Sequence, residues 1–286
     1  MLAPLPQTVH RGHQGAVYDV AWEGVHRTWL SAGGDGVVAL WALGAEDGQA
    51  VFHHSAPFFS VGVWNGDAVA GNSTGEIFLK NGARHAVRRV HESPVFSLHV
   101  DGQDRLWSGD GSGRICRWER TALGMEVTLD VKTGLGKIRS IDTHPDGILV
   151  AGGIGSWAVL TEAGVVALEV KAHERSCYWA RYWPSKQVVL SGGQDGLLVV
   201  HRGGDEVLRL PVHQSAVYRG LVAGNTLWTA SRDKEVKAWD VQTLEPLGKL
   251  SRPHTRSVNA LALGGEDGTL LASGGDDRSL KVWEVG

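Results

Sequence analysis

The sequence predicts an all-β fold made of seven copies of one four-stranded unit, and three observations carry that prediction. A histidine followed by an apolar run recurs at His13, His54, His91, His173, His213 and His254, with separations of 41, 37, 82, 40 and 41 residues. The gap of 82 is two periods with one histidine missing, where Gly134 stands in the frame. Downstream of most of these histidines come a Ser or Thr, a Gly/Asp-rich turn and a closing tryptophan at fixed spacing. The chain also carries 39 Gly and 12 Trp against 9 Pro, the composition of many tight turns with one large core residue per unit. A fixed period near forty residues, too short for a core of its own, is the mark of sheets that bury their faces on one another.

The units follow in order. Unit 1 runs from His13 through Trp29-Leu30-Ser31-Ala32-Gly33-Gly34-Asp35-Gly36 to Trp41, with Ser to Asp four residues and Asp to Trp six. Unit 2 keeps His54 and a weak turn at 70–75. Unit 3 has His91, Ser108 and Trp118, with Ser112 in the aspartate frame. Unit 4 keeps none of the four residues and is marked only by the turn at 151–155. Unit 5 has His173, Ser191 and Asp195, with His201 in the tryptophan frame. Unit 6 has His213, Thr229, Asp233 and Trp239. Unit 7, with His254, Ser273, Asp277 and Trp283, is the cleanest. In it 257–263 alternates with a two-residue period, 269–273 follows, and Gly-Gly-Asp-Asp at 274–277 leads into 279–284. The turns suit positive φ, and no segment carries a helical pattern.

On these residues the sequence resembles the WD40-repeat family over the whole chain. The resemblance implies a single domain, residues 1–286, folded as a seven-bladed β-propeller of four-stranded antiparallel blades. It also implies a hydrogen-bonded chain of His, Ser/Thr, Asp and Trp within a blade, matched in full by His13, Ser31, Asp35, Trp41; by His213, Thr229, Asp233, Trp239; and by His254, Ser273, Asp277, Trp283. The usual Trp-Asp pair occurs once, at Trp239-Asp240. A buried aspartate needs several donors, and an imidazole N–H and a backbone turn supply them. In such a ring 279–284 is only the third strand of the last blade. The segment before His13, about residues 4–10, is expected to complete it and remove an open sheet edge.

Charge and motifs narrow the function. A net charge of −3 and a pI near 6.5 give no basic field for nucleic acid or an anionic membrane, so neither is expected as a partner. The first residues lack a basic region followed by an apolar run, and no stretch approaches a membrane span. Cys116 and Cys177 are isolated, so a disulfide framework is not expected and a cytoplasmic, reducing location is. There is no Cys-x-x-Cys, His-Glu-x-x-His, phosphate-loop lysine motif or Gly-x-Ser-x-Gly elbow. The run Gly109-Asp110-Gly111-Ser112-Gly113 looks like a phosphate loop but is in register with six other turns. Of thirteen histidines, six hold the repeat position and His201 the tryptophan position. His10, His26, His53, His85, His99 and His144 share no ligand spacing. No metal, cofactor or catalytic residue is expected.

The positions free to vary are where a partner would be read. Counting five residues past each repeat histidine gives Tyr18, Phe59, Phe96, Tyr178, Tyr218 and Asn259, and aligning Ile138 in unit 4 adds Arg139. Five of the seven are aromatic, including three of the four tyrosines. Alternation turns Val17, Val217 and Val258 between blades and their neighbours toward the central channel. Aromatics with an arginine resemble the composition of binding hot spots, and the family resemblance makes this rim a docking place for peptides. Trp179, next to Tyr178, is expected to extend it. Gln194, Arg232, Asp276 and Ile154 are read as the turn residues beside it, and Lys137 joins Arg139 in a basic spot. Trp29, Trp107 and Trp228 repeat and are read as core; Trp183 is either a loop anchor or local packing. The ring itself either docks a partner or plugs the channel.

The function expected is therefore a non-catalytic scaffold that holds a protein or peptide on the aromatic face, as a monomeric propeller inside a hetero-complex. The alternative is a propeller enzyme or small-ligand binder that uses the channel mouth. Few titratable groups at the rim favour the scaffold.

Overall fold

The computed structural model describes residues 6–45, 47–82, 84–122, 124–251 and 253–285. Among them are seven four-stranded antiparallel sheets, and the innermost strand of each touches those of both neighbours, so the ring closes. Blade 1 is built from Val17–Glu23, Thr28–Gly33, Val37–Ala42 and Gln49–His53. Blades 2 to 6 repeat that order at 58–89, 95–132, 138–171, 177–211 and 217–249. Units 2 and 4 form full blades despite their lost motif residues, because apolar patterning and turn glycines suffice to build the sheets.

Burial peaks in the second strand of a blade and falls toward the outer edge. The second strand of blade 1, Thr28–Gly33, is buried throughout because it is covered on both faces, whereas the outermost strands Arg84–Arg89 and Pro246–Lys249 are mostly or wholly exposed. Apolar side chains pack in seven clusters. Trp29, Trp107 and Trp228 lie in this core, and so does Trp183, as local packing. Gly36 shows why the turns need glycine: at φ +77° an added Cβ would sit 1.9 Å from the carbonyl oxygen of His54.

The last blade joins both ends of the described chain. Its order is Thr8–Arg11, Ser279–Glu284, Leu270–Gly275, Val258–Gly264, with Thr8 opposite Val282 and Arg11 opposite Ser279. The closing strand therefore runs one residue beyond the expected limit, while Pro4 and Leu5 lie outside the described residues. His10 is buried against the indole of Trp41, 5.2 Å between ring centres, which ties the strand to blade 1 as well. One departure from an all-strand reading is a 3₁₀ turn, Glu266–Gly268, in the longer link after Val258–Gly264.

The hydrogen-bonded chain is present in its matched blades. In blade 1 Nδ1 of His13 donates to Asp35 at 2.9 Å, Ser31 donates to Nε2 at 2.7 Å, and Trp41 donates its indole N–H to Ser31 at 2.8 Å. Blade 6 repeats it, with His213 to Asp233, Thr229 to His213, and Trp239 to Thr229 all at 2.9 Å. Blade 7 has His254–Asp277 and Ser273–His254 contacts of 2.7 Å. There the chain stops short, because the buried indole N–H of Trp283 has no acceptor.

Blade 3 corrects the sequence reading. Ser112 does not replace the aspartate. Asp110, two residues earlier and wholly buried, takes the role. It accepts from His91 at 3.1 Å while Ser108 bridges His91 and Trp118 at 2.7 Å each, and Ser112 merely donates to Asp110. Asn72 stands at the same place in blade 2, accepting from the backbone of Thr74 and Glu76. In both blades a carboxylate or amide from the strand end replaces one from the turn. In all five complete His–Asp pairs burial raises the carboxyl pKa, but the imidazole and backbone N–H bonds outweigh it. The carboxyls of Asp35, Asp110, Asp195, Asp233 and Asp277 are held below their ordinary range, Asp233 at about 2.

Candidate functional site

Each innermost strand breaks its ladder at one place, and in every blade the place is the same. The register slips between Val17 and Asp19, Phe58 and Ser60, Val95 and Ser97, Ile138 and Ser140, Cys177 and Trp179, Val217 and Arg219, and Val258 and Ala260. The seven residues left without a ladder partner are Tyr18, Phe59, Phe96, Arg139, Tyr178, Tyr218 and Asn259. A bulge of this kind re-aims the extra residue. All seven side chains are half-buried around one opening.

They touch in sequence around that opening. Tyr18 and Phe59 lie 4.9 Å apart between ring centres, Phe59 and Phe96 5.2 Å, and Tyr178 and Tyr218 4.9 Å edge to face. The guanidinium of Arg139 fills the gap, 5.2 Å from the Phe96 ring and 4.9 Å from that of Tyr178. Asn259 closes the circle by donating to the carbonyl of Val17 at 3.1 Å and to Asp276 at 2.7 Å. Together with Arg219 and Asp276 these residues wall a funnel of about 390 Å³. Burial raises the phenol pKa of Tyr18 and Tyr218.

Below the funnel the channel widens to about 590 Å³, and its charges are paired. Arg219 donates to Asp19 at 3.3 Å, and Arg181 to Asp142 at 2.7 Å. Burial pushes the carboxyl of Asp19 up, and Arg219 and the N–H of Val61 offset that only in part.

Trp179 is not on the rim. It is 1% exposed and turns between blades 5 and 6, over Gly192 and Gly220, where an added Cβ would sit 2.2 Å and 2.3 Å from its ring. The signal for this was in the sequence: Gly220 stands where other blades carry Val20, Val61, Leu98, Ile141, Ala180 and Leu261. Gln194 and Arg232 are exposed turn residues whose backbone N–H groups donate to Ser176 and Ala216. Gly34, Gly153 and Asp276 hold the equivalent place in their blades, so Ile154 falls one position later than expected, at the aspartate frame, where it is 44% exposed. Lys137 is exposed. Arg219 was missed, because the reading took one residue per bulge and in blade 6 the residue after it also reaches the channel, whereas the equivalent Ser60, Trp179 and Ala260 are buried.

Other chemistry is weakly supplied. The ligand atoms of His213, Asp233 and Glu235 lie within 4.8 Å of one another. Both nitrogens of His213 are already engaged, and Lys237 and Lys249 occupy Glu235. Cys116 and Cys177 are buried, which pushes the Cys116 thiol up to about 12 and Cys177 higher still. Among the described residues no helix is long and apolar enough to cross a membrane.

Comparison with known proteins follows the same pattern. The WD40 family, described as WD domain, G-beta repeat, matches residues 5–42 and 244–284. The chain is 27% identical to the ribosome biogenesis protein WDR12 homolog of Chlamydomonas reinhardtii over 96% of its length, but spans only 54% of that protein. It is 23% identical to the guanine nucleotide-binding protein subunit beta of Oryza sativa subsp. indica, over 96% of this chain and 81% of that one. The WD40 β-propeller domain of Doa1 has the same fold, with a TM-score of 0.86 at 16% identity over 100% of this chain and 98% of that one.

Proposed function

Because this chain is a seven-bladed β-propeller carrying WD40 repeats, we propose that it is a non-catalytic scaffold. Its aromatic funnel holds a protein or peptide partner, as one subunit of a larger assembly. The observation that carries this reading is the coincidence of the seven bulges with the seven most partner-like side chains. Packing needs no aromatic at a residue that the ladder leaves out, and a funnel of about 390 Å³ is not filled by the ring around it. Rigid aromatics contribute contact area at low cost in conformational entropy. Two relatives, a ribosome biogenesis protein and a guanine nucleotide-binding protein subunit, carry names of proteins that work with other macromolecules rather than names of enzymes. The funnel also lacks a nucleophile beside a base: its titratable groups are Arg139, Arg219, Asp276 and the tyrosines, and both thiols are buried elsewhere.

The test is affinity capture with mass spectrometry, comparing the parent with a Tyr18→Ala, Tyr178→Ala, Tyr218→Ala variant of matched melting temperature. The variant is expected to lose at least one partner that the parent retains. Identical recovery from both would remove the funnel from the function.

A further inference from the structure

The funnel is aromatic on most of its wall, yet it holds one cation that no side chain among the described residues neutralises. Arg139 forms no salt bridge among the described residues, and its Nε is buried without an acceptor. Its guanidinium lies beside the rings of Phe96 and Tyr178, and the side chain borders the funnel, where its N–H groups are available for recognition. Arg219, the other cation of the wall, is paired, and the carboxylate of Asp276 lies in blade 7, across the ring from Arg139 in blade 4. Arg219 is bound to Asp19, and Asp276 accepts from Asn259. Burial lowers the pKa of Arg139, and the tyrosines Tyr178 and Tyr218 offset that in part.

We propose that the funnel selects a peptide that inserts an acidic side chain, Asp or Glu, whose carboxylate accepts hydrogen bonds from Arg139 while the rings of Tyr18, Phe59 and Tyr218 hold the chain on either side. This rests on the reading of the funnel as a docking site and adds its chemistry. A planar guanidinium held beside two rings presents parallel N–H groups that match a carboxylate in two-point contact. One free guanidinium balances one negative charge. A phosphorylated residue, near two charges at neutral pH, calls for more cations than the funnel has unpaired.

The probe is a set of short labelled peptide pools, random except for a central Glu, Gln, Lys or phosphoserine, titrated against the full chain by fluorescence anisotropy. The Glu pool is expected to bind about tenfold more tightly than the Gln pool, the worth of one charge-assisted contact. Arg139→Gln removes that difference, so that the Glu and Gln pools bind alike. Arg139→Lys, which keeps the charge and loses the fork, retains only part of it and serves if Arg139→Gln melts early. Equal binding of Glu and Gln pools by the parent, a difference that survives Arg139→Gln, or preference for phosphoserine each overturns the acidic-side-chain assignment. A Tyr18→Ala, Tyr218→Ala variant separates this from the docking reading. If that variant binds every pool as the parent does, the docking reading fails. If it weakens every pool with no Glu preference in the parent, only the acidic assignment fails. Absence of binding to any pool overturns both.

Discussion

Trp157 donates its indole N–H to Nδ1 of His201 at 3.4 Å, across the boundary between blades 4 and 5. His201 sits where four other blades have the tryptophan of the repeat, and Trp157 belongs to the blade that kept no repeat residue. The two departures compensate each other: an indole from blade 4 fills the space that blade 5's own would have taken, with ring centres 5.5 Å apart. Both side chains are buried.

Restoring the repeat residue should therefore harm the protein. His201→Trp is expected to destabilise by about 1–3 kcal/mol through overpacking, and to couple strongly with substitutions at Trp157. Urea denaturation of the single and double variants gives the coupling. A stabilised His201→Trp would contradict the compensation.

The corrected chain in blade 3 makes a contrast. Asp110→Ala leaves a buried imidazole without its acceptor and should cost about 1–3 kcal/mol, as should Asp277→Ala in blade 7. Ser112→Ala removes only a supporting hydroxyl and should cost less than about 1 kcal/mol. Equal losses at 110 and 112 would return the role to Ser112.

Trp179→Ala should act on stability, not on partner affinity. Removing a buried indole is expected to cost about 3–5 kcal/mol, read by chemical denaturation, while any folded fraction binds as the parent does. A stable variant with weakened binding would put Trp179 back on the rim.

Acid should loosen the turns that carry the repeat aspartates. Asp233 is held at about 2, below its ordinary range, because the bonds from His213 and the backbone outweigh its burial. A depressed carboxyl contributes stability that is complete above its unfolded-state pKa near 4 and is lost as pH falls through about 2. Asp233 accounts for about 1–2 kcal/mol of that loss, its partly solvent-facing edge having been allowed for. Asp233→Asn should flatten the fall in melting temperature between pH 4 and 2. A curve parallel to the parent's would mean that this carboxylate is not coupled to folding.

Deleting residues 1–11 removes the strand paired with Ser279–Glu284 and the His10 ring packed on Trp41. The melting temperature is expected to fall by roughly 10 °C, with aggregation through the opened edge. Light scattering and a thermal melt decide it, and unchanged behaviour would refute closure by this strand.

How much of this was legible beforehand depended on what each feature rests on. The period was visible in six histidines, so blade number and the ring positions could be counted, Arg139 included. The bulges were not, because a single extra residue leaves the alternation on either side intact, and so Arg219 escaped while Trp179 was placed on the wrong face. Asp110 was hidden by counting to the turn rather than to the strand end, although Asn72-Ser73-Thr74 and Asp110-Gly111-Ser112 share an Asx followed two residues later by a hydroxyl. The Trp157–His201 exchange depends on two blades at once, and no single repeat contains it.

Because each funnel side chain hangs from a residue that the sheets do not pair, it is uncoupled from the pairing that builds the molecule. Substitutions at these seven places can retune what is recognised without breaking a ladder pair, and because neighbouring side chains touch, the surface changes as a coupled set rather than one residue at a time.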